Sequence, residues 1–167
     1  MAEKDEIFSS KIKYKGTFSF KDFYLFCHDW LTTEAELFLS ENKYKEKISG
    51  DSKKIDIEWV GIKKLTDYFR FDIKITFQLI GLTEIEIQEG SKKIKTNQGT
   101  IEMKVKGTLT RDYDGKFEKT ATKKFLRSIY EKWVIASRIE QYEEKIIEKS
   151  DEFLNQAKAY LDLEGKK

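Results

Sequence analysis

Apolar and polar residues alternate along several stretches of the chain between positions 12 and 109. In the longest stretch Phe69, Phe71, Ile73, Ile75, Phe77 and Leu79 alternate with Arg70, Asp72, Lys74, Thr76 and Gln78. Because neighbouring side chains of a strand point to opposite faces of a sheet, this pattern predicts a strand with one apolar and one solvated face. The same phase recurs in Ile55, Ile57 and Trp59 and in Ile101, Met103, Val105 and Leu109. The pattern therefore predicts a sheet whose apolar face must be covered by another element.

Helical signals follow the first strand, which is expected over residues 11–19. Ser19 has the character of an N-cap for a helix that contains apolar residues at helical spacing. Thr33 and Glu36 then form a capping-box pattern, which predicts the start of a second short helix. Two short helices are therefore expected between the first strand and the next one.

The remaining strands are expected to be consecutive in sequence and therefore mostly antiparallel. Gly81 is interpreted as the end of the long strand 68–80, and residues 97–99 as a turn before a further strand. The alternation changes phase near Gly90, which predicts a bulge or loop there. About six strands are expected in total.

Residues 121–164 change to the apolar period of a helix. The apolar stripe comprises Phe125, Ile129, Trp133, Ala136, Ile139, Tyr142, Ile146, Phe153, Ala157 and Tyr160. An unbroken helix of this length would span about 66 Å, whereas a strand of the expected length spans only about 37 Å. The helix is thus longer than the sheet, so it either bends near Ser150 or projects towards a partner.

The order of one strand, two short helices, a run of antiparallel strands and a long C-terminal helix resembles the START-like or SRPBCC superfamily, which has the helix-grip fold. The resemblance extends from about Lys11 to about Ile147 and rests on the order of elements alone. It implies an α+β fold in which a curved antiparallel sheet wraps around the C-terminal helix. It also implies a cavity for apolar ligands between sheet and helix. The helical sequence beyond about Tyr142 is longer than this fold requires.

Length, charge and cysteine content narrow the class of protein. The 167 residues fit one domain, 1–167, and 32 basic against 30 acidic residues give a net charge of +2. This overall charge does not predict binding to nucleic acid or to an anionic membrane. Cys27 is the only cysteine, which excludes an intramolecular disulfide and favours the cytoplasm. No apolar run approaches the roughly 20 residues of a spanning helix, so no transmembrane segment is expected.

Cys27, His28 and Asp29 are the residue types of a nucleophilic or metal site, but their spacing argues against one. Neighbours on a helix point about 100° apart, and His28 is the only histidine. We interpret Cys27 as a small core residue and expect no metal or cofactor. The acidic residues Glu84, Glu86, Glu89 and Glu102 are similarly interpreted as partners of lysines on a solvated sheet face.

The start of the last helix is basic, although the helix dipole disfavours cations there. The residues concerned are Lys119, Lys123, Lys124 and Arg127. Two interpretations remain open: an anionic ligand or partner lies nearby, or these residues pair with Asp112, Asp114 and Glu118.

The leading functional hypothesis is non-enzymatic binding of an apolar or amphipathic small molecule. No acidic or basic residue falls in the apolar phase of the central strands, so the interior would offer no general acid or base. The expected ligand contacts are the bulky residues between the strand 68–80 and the helical stretch 125–142, namely Trp59, Phe69, Phe71, Ile73, Ile129 and Trp133. The alternative is a structural or interaction protein with a filled core, whose long C-terminal helix forms a homodimer or docks on another partner.

Overall fold

The computed structural model describes residues 3–115, 120–134 and 136–166, without the side chains of residues 133 and 134. Five strands and three α-helices are present in this part of the chain. They are β1 (Glu3–Phe18), α1 (Phe20–Asp29), β2 (Phe38–Ser49), β3 (Ser52–Lys64), β4 (Phe69–Glu89), β5 (Lys92–Arg111), α2 (Ala121–Ile129) and α3 (Ala136–Glu164). Two π-helical turns, Trp30–Glu34 and Tyr130–Val134, continue α1 and α2.

The strands form one sheet in the order β1-β5-β4-β3-β2, with every neighbouring pair antiparallel. The prediction of an α+β fold with an antiparallel sheet and a long C-terminal helix is therefore confirmed. The alternation along β4 is also confirmed, because its odd residues from Phe69 to Leu79 are buried and the intervening ones are more exposed. Helices α1 and α3 contribute to the same apolar core as these residues.

The expected number of about six strands is corrected to five among the described residues. Gly81 does not end its strand, because its left-handed φ of 63° accommodates a bulge between Ile80 and Thr83 and pairing continues beyond it. Asn97 and Gln98 are likewise paired on both sides, as shown by Asn97 opposite both Phe18 and Glu84, and Gly99 is paired with Gly16 of β1. Gly90, where the phase changes, lies in the turn between β4 and β5. β4 and β5 are therefore strands of 21 and 20 residues.

The expectation of two short helices after the first strand is also corrected. Ser19 caps α1 as expected, because its hydroxyl accepts a hydrogen bond from the Asp22 amide. Thr33 does not cap a second helix, since its hydroxyl donates back to the carbonyl of Asp29 at 2.5 Å. This backward bond accompanies a π-helical turn that extends α1. Glu36 then adopts a left-handed φ of 55°, which ends the helical backbone just before β2.

Among its described residues, the segment 121–164 forms α2, the π-helical turn Tyr130–Val134 and α3, so the α-helix is interrupted at that turn instead of near Ser150. Ser150 lies within the continuous helix α3 and is fully buried. Glu131, in the intervening π-helical turn, accepts hydrogen bonds from Arg111 and Tyr68. These contacts hold the turn against the end of the sheet, and α3 begins on its far side.

Helix α3 crosses the sheet at Gly107 of β5. A Cβ atom at this glycine would lie 2.7 Å from Ser150 Oγ and 2.9 Å from Ile146 Cγ2. Both distances are shorter than van der Waals contact, so the absence of a side chain permits this close approach. Gly107 thereby sets the position at which the helix covers the sheet.

Replacing Ser150 by alanine is expected to raise the free energy of unfolding by up to about 1 kcal/mol. Its hydroxyl is buried and has no hydrogen-bond partner among the described residues, and alanine is the better helix former. Urea denaturation should be compared with that of Ser128→Ala, an exposed helical serine that controls for propensity. Marked destabilisation by Ser150→Ala alone would contradict this expectation.

Candidate ligand-binding groove

Four of the six sequence-predicted contact residues lie together on the apolar face of the sheet. Trp59, Phe69, Phe71 and Ile73 are each at most 4% exposed, and they belong to the neighbouring strands β3 and β4. Ile129 is apart from them, because it lies on α2 with 38% of its surface exposed and outside the core cluster. The backbone of Trp133 is in the second π-helical turn, and its side chain is outside the described part of the chain.

The interior around Trp59 is filled by other side chains. The Trp59 ring lies 4.8 Å from that of Phe77 and 5.0 Å from that of Tyr24, measured between centroids. Its indole Nε1 donates a hydrogen bond to Glu41, which also accepts one from the Tyr24 hydroxyl. Burial and the bond to Glu41 raise the pKa of Tyr24 to about 12, so this hydroxyl remains a donor at neutral pH. This end of the interior is closed.

The layer between sheet and α3 opens at the opposite end, around Phe71. An open groove of about 240 Å³ lies there between the end of β3, the start of β4 and helix α3. Its floor is apolar and consists of Ala35, Leu65, Phe71 and Ile146. Its rim is charged and consists of Lys63, Lys145, Glu148 and Lys149.

Lys63 lines the groove because it occupies an odd position of β3, and the odd positions of this strand face the apolar side of the sheet. It lies opposite Phe71 in the register with β4, one residue before the strand ends. Its ammonium is 3.1 Å from a carboxylate oxygen of Glu36, and its side chain is 37% exposed. The strand thus places a cation where the apolar face meets solvent.

Lys145 and Lys149 are four residues apart and therefore project from the same side of α3. The Lys149 ammonium lies 5.8 Å from the ring centroid of Trp30 and 3.4 Å from a carboxylate oxygen of Glu152. Between the two lysines in sequence, Ile146 is only 1% exposed and packs into the core. The groove lining contains three lysines and one glutamate, and two of these lysines are paired, Lys63 with Glu36 and Lys149 with Glu152.

Cys27 and His28 lie in different environments. Cys27 is fully buried, and burial raises the pKa of its thiol, which disfavours the nucleophilic thiolate. His28 is exposed and its ring lies 5.9 Å from Trp59. Across the residues that the structure describes, no three His, Cys, Asp or Glu side chains are grouped as metal ligands.

The charged clusters noted in the sequence are paired to different extents. Arg127 contacts Asp112 and Glu3, so the pairing interpretation holds for this residue. Lys123 and Lys124 are exposed, whereas Lys119 and Glu118 lie outside the described residues. Of the acidic residues on β4 and β5, Glu84 and Glu102 pair with Lys95 and Lys11 across neighbouring strands.

Sequence reasoning found Phe71 but missed the rest of the groove. Extending the odd phase of β3 by two more steps would have placed Lys63 on the inward side. The spacing of Lys145, Ile146 and Lys149 gave a further signal, because an apolar residue is flanked by cations on one helical face. Ala35 and Leu65 lie in connections between elements, where no periodicity indicates their direction.

No protein-family model, curated protein or solved structure matches this chain. None of the described helices combines the length and the apolar character needed to cross a membrane. A function for this chain must therefore be inferred from its own residues.

Proposed function

We propose that this protein binds an amphipathic small molecule, without catalysis, in the groove between the sheet and α3. The apolar part of the ligand contacts Phe71, Leu65 and Ile146, and an acidic head group lies near Lys145 and Lys149. The observation that carries this proposal is the combination of an apolar floor with a lysine-rich rim in one groove. Pockets of this composition use the apolar surface for affinity and a few polar groups for orientation.

The size of the groove favours a slender ligand. Its volume of about 240 Å³ is below the roughly 300–1,000 Å³ of pockets for drug-sized molecules. A single hydrocarbon chain is narrow enough to lie along the floor, and removing it from water contributes about 25 cal/mol per Å² of apolar surface. Simple fatty acids therefore combine the required shape and charge.

The order of the elements supports membership of the helix-grip class. The first and last strands are neighbours, the intervening strands follow in sequence order, and the last helix packs on the same face as α1. A ligand between sheet and last helix is what the START-like resemblance implies. The five strands and the divided C-terminal helix differ from the form expected from the sequence.

The second candidate is an interaction protein with a filled core. The contacts of Trp59 with Phe77 and Tyr24 favour it, because they occupy part of the interior that a ligand would need. Ile147 and Leu163 on α3 are 42% and 65% exposed, which suits docking of this helix on itself or on another chain. A ligand restricted to the groove is compatible with this filled region.

Titration calorimetry with decanoate, decanol and decyltrimethylammonium tests the proposal. The three probes share a hydrocarbon chain and differ in charge, so decanoate is expected to bind tightest and the cation weakest. The variant Lys145→Ala/Lys149→Ala should weaken decanoate binding about three- to tenfold, the range for two exposed ionic contacts. Decanol binding should remain nearly unchanged.

The matched control is Lys43→Ala/Lys45→Ala, which removes two exposed lysines from β2. Leu65→Trp should fill the groove and weaken all probes while the protein remains folded by circular dichroism. Absence of decanoate binding, or an equal loss in the β2 control, would leave the filled-core candidate in its place.

A further inference from the structure

Lysines lie directly opposite one another at two positions on the solvated face of the sheet. In the register of β4 with β5, Lys74 is the partner of Lys106, and in that of β1 with β5, Lys11 is the partner of Lys104. Lys104 and Lys106 are two residues apart on β5, so their side chains share this face. Like charges at directly opposite positions destabilise a sheet. The fold therefore brings four lysines together at a cost in stability.

Neighbouring carboxylates balance only part of this positive charge. The lysine of β4 lies 2.9 Å from a carboxylate oxygen of Glu58, and the lysine of β1 lies 3.5 Å from one of Glu102. Lys104 and Lys106, on the strand between them, form no ion pair within the described part of the chain. These two central lysines can therefore contact an anionic ligand without first breaking an ion pair.

An open depression of about 140 Å³ lies among these lysines. Its lining consists of Lys74, Thr76, Lys104 and Lys106. Three ammonium groups and one hydroxyl thus surround it, and all four groups can donate hydrogen bonds. Neither a carboxylate nor an aromatic ring belongs to this lining as the structure describes it. Lysine binds phosphate as a point charge, so the composition of the depression suits a phosphorylated ligand.

We propose that this depression binds an oligophosphate group, at a site on the opposite side of the sheet from the proposed groove. Neighbouring strands are about 5 Å apart, and alternate residues of one strand are about 7 Å apart. The four lysines therefore cover an area that suits a chain of two or three phosphates. A nucleic acid is disfavoured, because its backbone is bound through a longer series of phosphate contacts and its single strands stack on aromatic side chains.

Calorimetric titration with inorganic phosphate, pyrophosphate and triphosphate tests this proposal. Affinity is expected to rise with the number of phosphates and to fall with added salt, because the contacts are ionic and solvent-exposed. Lys104→Gln/Lys106→Gln should weaken triphosphate binding about three- to tenfold, the range for two exposed ionic contacts. Adenosine triphosphate should bind no more tightly than inorganic triphosphate, because no aromatic side chain is present to hold the base.

The matched control is Lys43→Gln/Lys45→Gln, which removes the same charge from β2. These two exposed lysines lie opposite Glu58 and Asp56 instead of opposite other lysines. The control should leave triphosphate binding nearly unchanged. The two variants should also differ without a ligand, because relief of the repulsion on β5 raises the urea midpoint of Lys104→Gln/Lys106→Gln alone.

Three binding results would overturn the proposal: no binding of triphosphate, equal weakening in both variants, or a marked preference for adenosine triphosphate. A DNA duplex that binds where triphosphate does not would assign these lysines to a nucleic-acid surface instead. A lower urea midpoint for Lys104→Gln/Lys106→Gln would also count against the site, by showing that the opposed lysines impose no cost on the free protein.

Discussion

Ile75→Lys is expected to unfold the protein. Ile75 is completely buried in β4, between Trp59 of β3 and Val105 of β5. An ammonium group among these side chains would have no counter-charge, so the substitution should cost roughly 5 kcal/mol or more. This is comparable with the whole stability of a domain, about 5–15 kcal/mol. Circular dichroism and urea denaturation would measure the loss.

The neighbouring substitution Lys74→Ala is the matched control. Lys74 lies on the solvated face, where its 54% exposed side chain pairs with Glu58. Loss of such an exposed pair should change the stability by at most about 1 kcal/mol. If the two variants were equally stable, the assignment of opposite faces to residues 74 and 75 would be refuted.

Gly107→Val is expected to lower the free energy of unfolding by about 3 kcal/mol, the upper part of the range for overpacking. Its branched side chain would occupy the space now taken by Ser150 and Ile146 of α3. The helix must then move away from the sheet and lose contacts along its buried face. Chemical denaturation gives the change in stability, and a lower melting temperature should accompany it.

Thr108→Val controls for the effect of a β-branched residue at the adjacent position. Thr108 has the opposite strand phase and is half-buried, and its exchange adds no comparable bulk beneath α3. It should leave stability within about 1 kcal/mol of the parent. A stable Gly107→Val protein would show that α3 does not require this close approach.

The sheet was the most predictable part of the fold because its alternation is a local property. Residues 69–79 carry that alternation without interruption, and their burial follows it. The number of strands was less predictable, since glycine either ends a strand or accommodates a bulge. At Gly81 the choice is decided by pairing with residues of β5 that are distant in sequence.

The helical period of the C-terminal segment could be predicted from the sequence. Which side of each helix faces the core could not be predicted. Phe125 and Ile129 share a stripe with Ile146 and Phe153, which suggested one continuous buried face. In the structure the latter two are buried, whereas the former two are exposed. Arg127 on α2 instead faces the domain, where it pairs with Glu3 at the start of β1 and with Asp112 just after β5. No local sequence pattern links either acidic residue to Arg127.

The candidate groove was predictable only where it coincides with the apolar face, at Phe71. Its cations come from a strand end and from one turn of α3, and they meet only through the tertiary fold. The sequence argument that the central strands contain no inward charge considered this strand only as far as Trp59. Lys63 lies four residues further along β3 and lines the groove at the end of that strand.

The pairing of β1 with β5 has a consequence for how the chain folds as it is synthesised. The two strands are paired from Glu3 opposite Arg111 to Phe18 opposite Asn97. After β1 has been synthesised, about ninety further residues must follow before the whole of its partner strand is available. Even then Ile146, Phe153 and Leu161, which cover the apolar face, have yet to emerge from the ribosome. The apolar face of the sheet therefore stays uncovered by α3 until that helix has been synthesised, and exposed apolar surface of this kind makes a nascent chain prone to aggregation.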